Sequence, residues 1–213
     1  MGLKLITPPA AMPLTLEEAK AHLRVVANDE DNLIGAYLAA ATANVEAWLG
    51  RVLVDQTWDY VLDAFPGNTV SGGTSVNTST NNVGIQIPNP PLISVVQLAY
   101  DNTNGDEVIM PAADYFVDNV NAPGWVIPAG SSLVWPSTIN ASNSVRIRFR
   151  AGYINNDSPA DTDVPADIKA AIMLTLGNLY EHRESQVVGT IVSKLPFGVE
   201  QLLRRHRVLL GMS

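Results

Sequence analysis

The spacing of hydrophobic positions changes character twice along the chain. In LTLEEAKAHLRV, Leu16, Ala19, Leu23 and Val26 recur at helical spacing. Thr15 stands as an N-cap with Glu18 three residues on, the two halves of a capping box. NDEDNLIGAYLAAATANVEAWLG predicts a second helix, whose broad apolar face comprises Leu33, Ile34, Tyr37, Leu38, Ala41, Val45, Trp48 and Leu49. Asp29, Glu30 and Asp31 suit the positive end of its dipole, and Gly50 suits the position just past its end. The short polar link between the two helices predicts an antiparallel pair. Residues 1–13 read as a proline-rich lead-in.

After Arg51 the period becomes two. QTWDYVLDAF sets Trp58, Tyr60 and Leu62 on one side and Asp59 and Asp63 on the other. GIQIP, LISVVQLAYD, DYFVD, GWVIP and SVRIRFRAGY continue as short strands, separated by the turn-forming stretches PNPP, NTNG and NAPG. In the last strand Val145, Ile147 and Phe149 alternate with Arg146, Arg148 and Arg150, which predicts a half-buried strand with three arginines on its open face. Residues 67–84, GNTVSGGTSVNTSTNNVG, hold too little apolar surface to offset their ordering entropy, about 1–2 kcal/mol per residue, and predict a mobile loop.

The helical period then returns. In VPADIKAAIMLTLGNLYEHRES, Pro165 fits the first helical position and Ile168, Ala171, Ile172, Leu176 and Leu179 line one face. LPFGVEQLLRRHRVLL predicts a short fourth helix over residues 195–210, with Val199, Leu202, Leu203 and Leu209 or Leu210 as its stripe. The fold class is therefore α+β: an antiparallel helical bundle made by the two ends of the chain, with a β-rich insertion forming a small antiparallel sheet or sandwich. Residues 1–51 and 164–213 form one helical module, residues 52–153 are the insertion, and residues 154–213 carry the C-terminal helices and tail.

Charge sharpens the picture. The net charge of −8 falls entirely within residues 52–145, which contain eight acids and no Lys or Arg. Such a block repels phosphate and argues against groove binding of nucleic acid. Residues 164–213 carry a net of +2. No apolar run approaches the roughly 20 residues that cross a bilayer, and MGLKLITPPA lacks a secretory apolar region, so the chain reads as soluble and cytoplasmic. The absence of cysteine excludes disulfides and thiolate chemistry.

No constellation for catalysis or cofactor binding emerges. Glu181, His182 and Glu184 end the third helix, but His182 lies about 100° around the helix from Glu181, and there is no HExxH spacing. A charged last turn is the plainer reading; a metal-dependent hydrolase using these three residues is one alternative. G-x-S-x-G, GxxxxGK[ST] and GxGxxG are all absent. Trp58, Trp125 and Trp135 suggest a second alternative, a sugar- or receptor-binding β module, set against the commoner fate of tryptophan as core. The basic cluster Arg204, Arg205, His206 and Arg207 lies in an amphipathic segment that needs something to pack against, either a partner or its own bundle.

Read in order, the segments resemble a known family. LTLEEAKAHLRV, DEDNLIGAYLAAATANVEAWLGRVLVDQTWDYVLDAFP, IPNPPLISVVQLAYDN, VRIRFRAGY, VPADIKAAIMLTLGNLYEHRES and LPFGVEQLLRRHR together resemble the head–tail connector (adaptor) proteins of tailed bacteriophages and prophages, from Leu14 to about Arg207. The resemblance implies a structural virion protein without catalytic residues, metal or cofactor. It implies a ring, commonly of twelve copies, beneath the portal protein at the head–tail interface. Such a ring extends the DNA channel without sequence-specific binding, touches no membrane, and receives a tail-side completion or stopper protein. Assembly would take place in the host cytoplasm, from a subunit that can be monomeric in isolation. By the same analogy the fourth helix reaches the portal, with Leu202, Leu203, Arg204, Arg205 and Arg207 as contacts. Charge segregation adds the expectation that Arg146, Arg148 and Arg150 of one copy face acids such as Asp59 and Asp63 of the next.

Overall fold

The structure is a computed structural model that describes residues 1–67, 84–129, 134–153, 163–182 and 197–208. The mobility expected for residues 67–84 falls almost wholly outside the described residues. The chain divides into two compact units: residues 1–10 with 55–152, and residues 11–54 with 153–213.

The first unit holds two antiparallel sheets. Five strands, β1 (Gly2–Thr7), β2 (Gln56–Leu62), β4 (Leu92–Asp101), β5 (Glu107–Ile109) and β8 (Val145–Ala151), form a sheet in the order β1-β2-β8-β4-β5. The strands β3 (Ile85–Gln86), β6 (Tyr115–Asp118) and β7 (Trp125–Pro128) form a second sheet in the order β3-β7-β6. The alternation in β8 is realised residue by residue: Val145, Ile147, Phe149 and Ala151 are buried, and the arginines between them are half-exposed. Leu62, Phe65, Leu98, Val126 and Trp135 complete this unit's core. Where NAPG returns the chain into β7, Gly124 passes so close to β4 that an added Cβ would sit 2.7 Å from Leu92 Cβ.

The sheet differs from expectation at both edges. Residues 2–7 pair with β2, from Gly2 opposite Val61 to Thr7 opposite Thr57, so the lead-in belongs to the sheet and not to the helical part. β5 was likewise not foreseen. Each edge strand is short or exposed throughout, so neither carries the buried-and-exposed alternation by which inner strands announce themselves.

The second unit is helical. α1 (Leu16–Leu23) begins with the predicted capping box: the Glu18 N–H donates to Thr15 Oγ1 at 3.1 Å and the Thr15 N–H to Glu18 Oε2 at 2.7 Å. α2 (Asp31–Leu49) ends at Gly50, whose φ of 64° is a left-handed cap that glycine adopts without a Cβ penalty. α3 (Ala166–Glu181) starts one residue after Pro165, which caps the helix from outside. α4 is only Phe197–Leu203, followed by a single 3-10 turn, Arg204–His206, where a longer helix was expected. Ile34, Leu38, Val45 and Leu49 of α2, Ile168, Ile172 and Leu176 of α3, and Val199 and Leu203 of α4 share one buried core. The two ends of the chain thus build one helical module, joined to the sheet unit by covalent crossings near residues 10, 54 and 152.

Candidate assembly interface

The arginine strand β8 shows how the sheet unit handles its charge. Arg148 lies opposite Asp59 in the β2 register and binds it through two hydrogen bonds, Nε to Oδ1 at 2.7 Å and Nη2 to Oδ2 at 2.8 Å. Arg150 grips Asp55 in the same two-pronged way, with Nε 3.1 Å from Oδ1. Arg146 reaches the other side, donating to both carboxylate oxygens of Asp101 at 3.1 and 2.8 Å and to Glu107 at 2.5 Å. The hydrogen bond from Arg146 holds the Asp101 carboxyl below its usual range, and the Arg146 guanidinium is raised in return.

These contacts correct two expectations. The acids that were to await Arg146, Arg148 and Arg150 of a neighbouring copy are engaged within the chain. Asp59 holds Arg148, and Asp63 accepts from the Asn143 N–H at 3.0 Å and lies 3.9 Å from the terminal amine. The acidic block is also less bare than its composition suggests, because three of its eight charges are cancelled by arginines just beyond its end. The partners stand 39 to 95 residues apart in sequence, which local pattern cannot reveal.

At the other end of the chain, the segment after α4 is fastened to its own helical module. Asp167 Oδ2, in the first turn of α3, accepts from Arg205 Nε at 2.7 Å and contacts His206 Nε2 at 2.7 Å. Burial pushes the Asp167 carboxyl up, but the hydrogen bonds from His206 and Arg205 outweigh it and leave it lowered. Arg51 Nε donates to the His206 carbonyl at 2.6 Å, and the Val208 N–H donates to the Leu49 carbonyl at 2.9 Å. The Arg207 guanidinium lies 4.8 Å from the centre of the Trp48 ring. The leucines need a further correction: Leu203 is fully buried and anchors α4 in its own core, and Leu202, partly buried, packs against the same core. Arg204, Arg205 and Arg207 remain exposed.

The alternative sites do not assemble among the described residues. Glu181 and His182 are exposed, His182 Nδ1 contacts the Asn178 carbonyl at 3.1 Å, and Glu184 lies outside the described residues. No group of three or more metal-binding side chains occurs among the described residues. Trp135 is core, stacked on Phe65 with ring centres 4.6 Å apart, whereas Trp58 and Trp125 are half-buried on different sheets. A cavity of about 490 Å³ in the sheet unit is walled by Tyr100, Met110, Pro111, Pro128, Trp135 and Pro136, with Asp114 as its one charged side chain. No helix among the described residues is long and apolar enough to cross a membrane.

Comparison with known proteins gives this arrangement a context. No curated protein matches the chain. Among solved structures, a chain in the "Neck of empty GTA particle computed with C6 symmetry" is 25% identical, with a TM-score of 0.72 and 99% of each chain covered. A chain in the "Virion of native gene transfer agent (GTA) particle" is 24% identical at a TM-score of 0.73, and one in the "Neck of native GTA particle computed with C12 symmetry" is 24% identical at 0.69, again over 99% of each chain. These two establish the fold. Residues 13–110, from α1 through the β4–β5 hairpin, match the family described as "Phage gp6-like head-tail connector protein". That match over residues 13–110, with a likeness running the length of both chains, makes this chain similar to the phage gp6-like head-tail connector proteins and to a chain of a gene transfer agent neck.

Proposed function

We propose that this chain is a structural subunit of the neck of a phage-like particle, where copies of it form a ring that joins head to tail and continues the DNA channel. The observation that carries the reading is the full-length likeness to a chain of a gene transfer agent neck. Twelve copies is the number we adopt, since one of the similar neck structures was computed with C12 symmetry. The chain has no catalytic role in this reading. It works by holding neighbours, with portal protein on one side and a tail-completion protein on the other.

The C-terminal segment supports the portal-facing assignment. α4 is rooted in the core by Val199 and Leu203, while Arg204, Arg205 and Arg207 are presented at the surface next to the fastened turn. The leucines are the anchor and the arginines the reach. DNA passes without sequence-specific contact, because the sheet unit's arginines are spent on its own acids and five of the eight negative charges in residues 52–145 stay unbalanced by them.

The test is genetic and visual. Cells producing the particle but lacking this chain should accumulate DNA-filled heads without tails, as seen by electron microscopy. Arg204→Glu should reproduce part of that defect while the purified chain stays folded. Normal numbers of tailed particles in the absence of the chain would end the proposal.

A further inference from the structure

The five-stranded sheet has an odd number of strands, each antiparallel to its neighbours, so its edges β1 and β5 run in the same direction. A head-to-tail ring joins two different patches of the same subunit. When strands run along the ring axis, rotation preserves their direction, and an edge-to-edge contact between copies is then a parallel pairing of β5 with the next copy's β1. A two-fold dimer would instead pair β1 with β1, antiparallel.

Both edges carry the side chains such a seam needs. All six residues of β1 are exposed, and Leu3 and Leu5 are each 41% exposed on a strand with one charge, Lys4. Bare apolar edges are the places natural sheets otherwise cover or blunt. Leu3 and Leu5 lie opposite Tyr60 and Trp58, on the face that Phe149 and Ile147 line with apolar side chains; Lys4 lies opposite Asp59, on the arginine face. In β5, Val108 lies opposite Tyr100 on the apolar face, and Glu107 opposite Asp101 on the arginine face. The Glu107 side chain is 58% exposed even while it binds Arg146, leaving room for a second cation.

We propose that β1 of one copy pairs in parallel with β5 of the next, continuing the sheet around the ring with Lys4 beside Glu107 and Leu5 beside Val108. The proposal rests on the connector reading above and deepens it by naming the contact between copies. It draws on charge complementarity between the edges and on the agreement of both faces in a single register.

The chain has no cysteine, so introduced thiols report without background. Paired strands lie about 4.8 Å apart, within disulfide reach. Particles assembled with the Lys4→Cys, Glu107→Cys double variant should give a ladder of disulfide-linked oligomers on a non-reducing gel, whereas each single variant should stay monomeric. A dimer from Lys4→Cys alone would show two-fold pairing and overturn the seam, as would an incorporated double variant that runs only as monomer. If the double variant is excluded from particles, charge exchange decides. Lys4→Glu and Glu107→Lys should each lower incorporation about tenfold, equivalent to ~1.4 kcal/mol, with the double exchange restoring it; singles that incorporate at parental level overturn the seam. Should the parental chain itself be missing from particle necks, the connector reading fails instead.

Discussion

Leu203→Ala separates a core role from a docking role for the C-terminal segment. The leucine is fully buried in the helical module's core with Val199, Leu49 and Leu176. Truncation removes three carbons, worth about 0.8 kcal/mol each and so about 2.5 kcal/mol in transfer alone. The cavity left behind brings the expected cost to about 3–4 kcal/mol. For a chain of 213 residues that is a fall of roughly 6–16 °C in Tm. α4 has only seven residues and cannot hold itself as a helix in water, so its detachment should accompany the loss. Two assays read this: the urea midpoint, and amide hydrogen exchange over residues 199–203 compared with α2. Arg204→Ala serves as the contrast, since an exposed side chain of this kind should change stability by no more than about 0.5 kcal/mol. A Leu203→Ala chain with the parental midpoint and parental protection of α4 would refute the burial argument.

Other outcomes follow from the same geometry. Asp59→Asn should cost about 0.2–1 kcal/mol, because the Arg148 pair is two-pronged but partly exposed, and the difference should shrink in high salt; urea midpoints at low and high ionic strength check it. Asp167 has its carboxyl lowered in the folded state, so its stabilisation is present above the ordinary value of 3.8 and is lost as pH falls through the folded value. Asp167→Asn should therefore flatten the acid limb of a stability–pH profile below about pH 4. Glu46 has the opposite sign: burial raises its carboxyl despite the Leu53 N–H, so it costs stability above the ordinary value of 4.5, and Glu46→Gln should stabilise the chain at pH 7 but not at pH 3. Gly124→Ala puts a methyl against Leu92 Cβ and the Asp118 carbonyl and should cost about 1–3 kcal/mol, read as a lower Tm.

Much of the fold was legible in local pattern. The Thr15–Glu18 capping box, Gly50 as the cap of α2, and the period-two run of β8 each follow from neighbours a few residues apart, and each is present. The two edge strands escaped because β1 is exposed throughout and β5 is only three residues long, so neither shows a readable burial contrast, although Leu3, Lys4 and Leu5 do alternate. The candidate interface was harder to read. Three arginines on an open strand face were visible, and Asp59 was named for them, but in a neighbouring copy; that it and the acids of β4 and β5 come from the same chain shows only once the sheet has closed. The amphipathic stripe of α4 was equally ambiguous, since a helix face made for its own core and one made for a partner have the same composition. Burial of Leu203 resolves it.

The helical core is contributed by residues that flank the sheet insertion in sequence. α2 ends at Leu49 and its main partner α3 starts at Ala166, so the core closes only across an intervening stretch of more than a hundred residues. A growing chain that has delivered α1 and α2 holds an unfinished apolar face until the whole insertion and both later helices have emerged. Completion of the module and display of Arg204 and Arg205 therefore come from one late event, the seating of α4. A truncated or stalled polypeptide lacks both at once, so under the proposed docking role an unfinished copy also lacks the surface that would join it to an assembly.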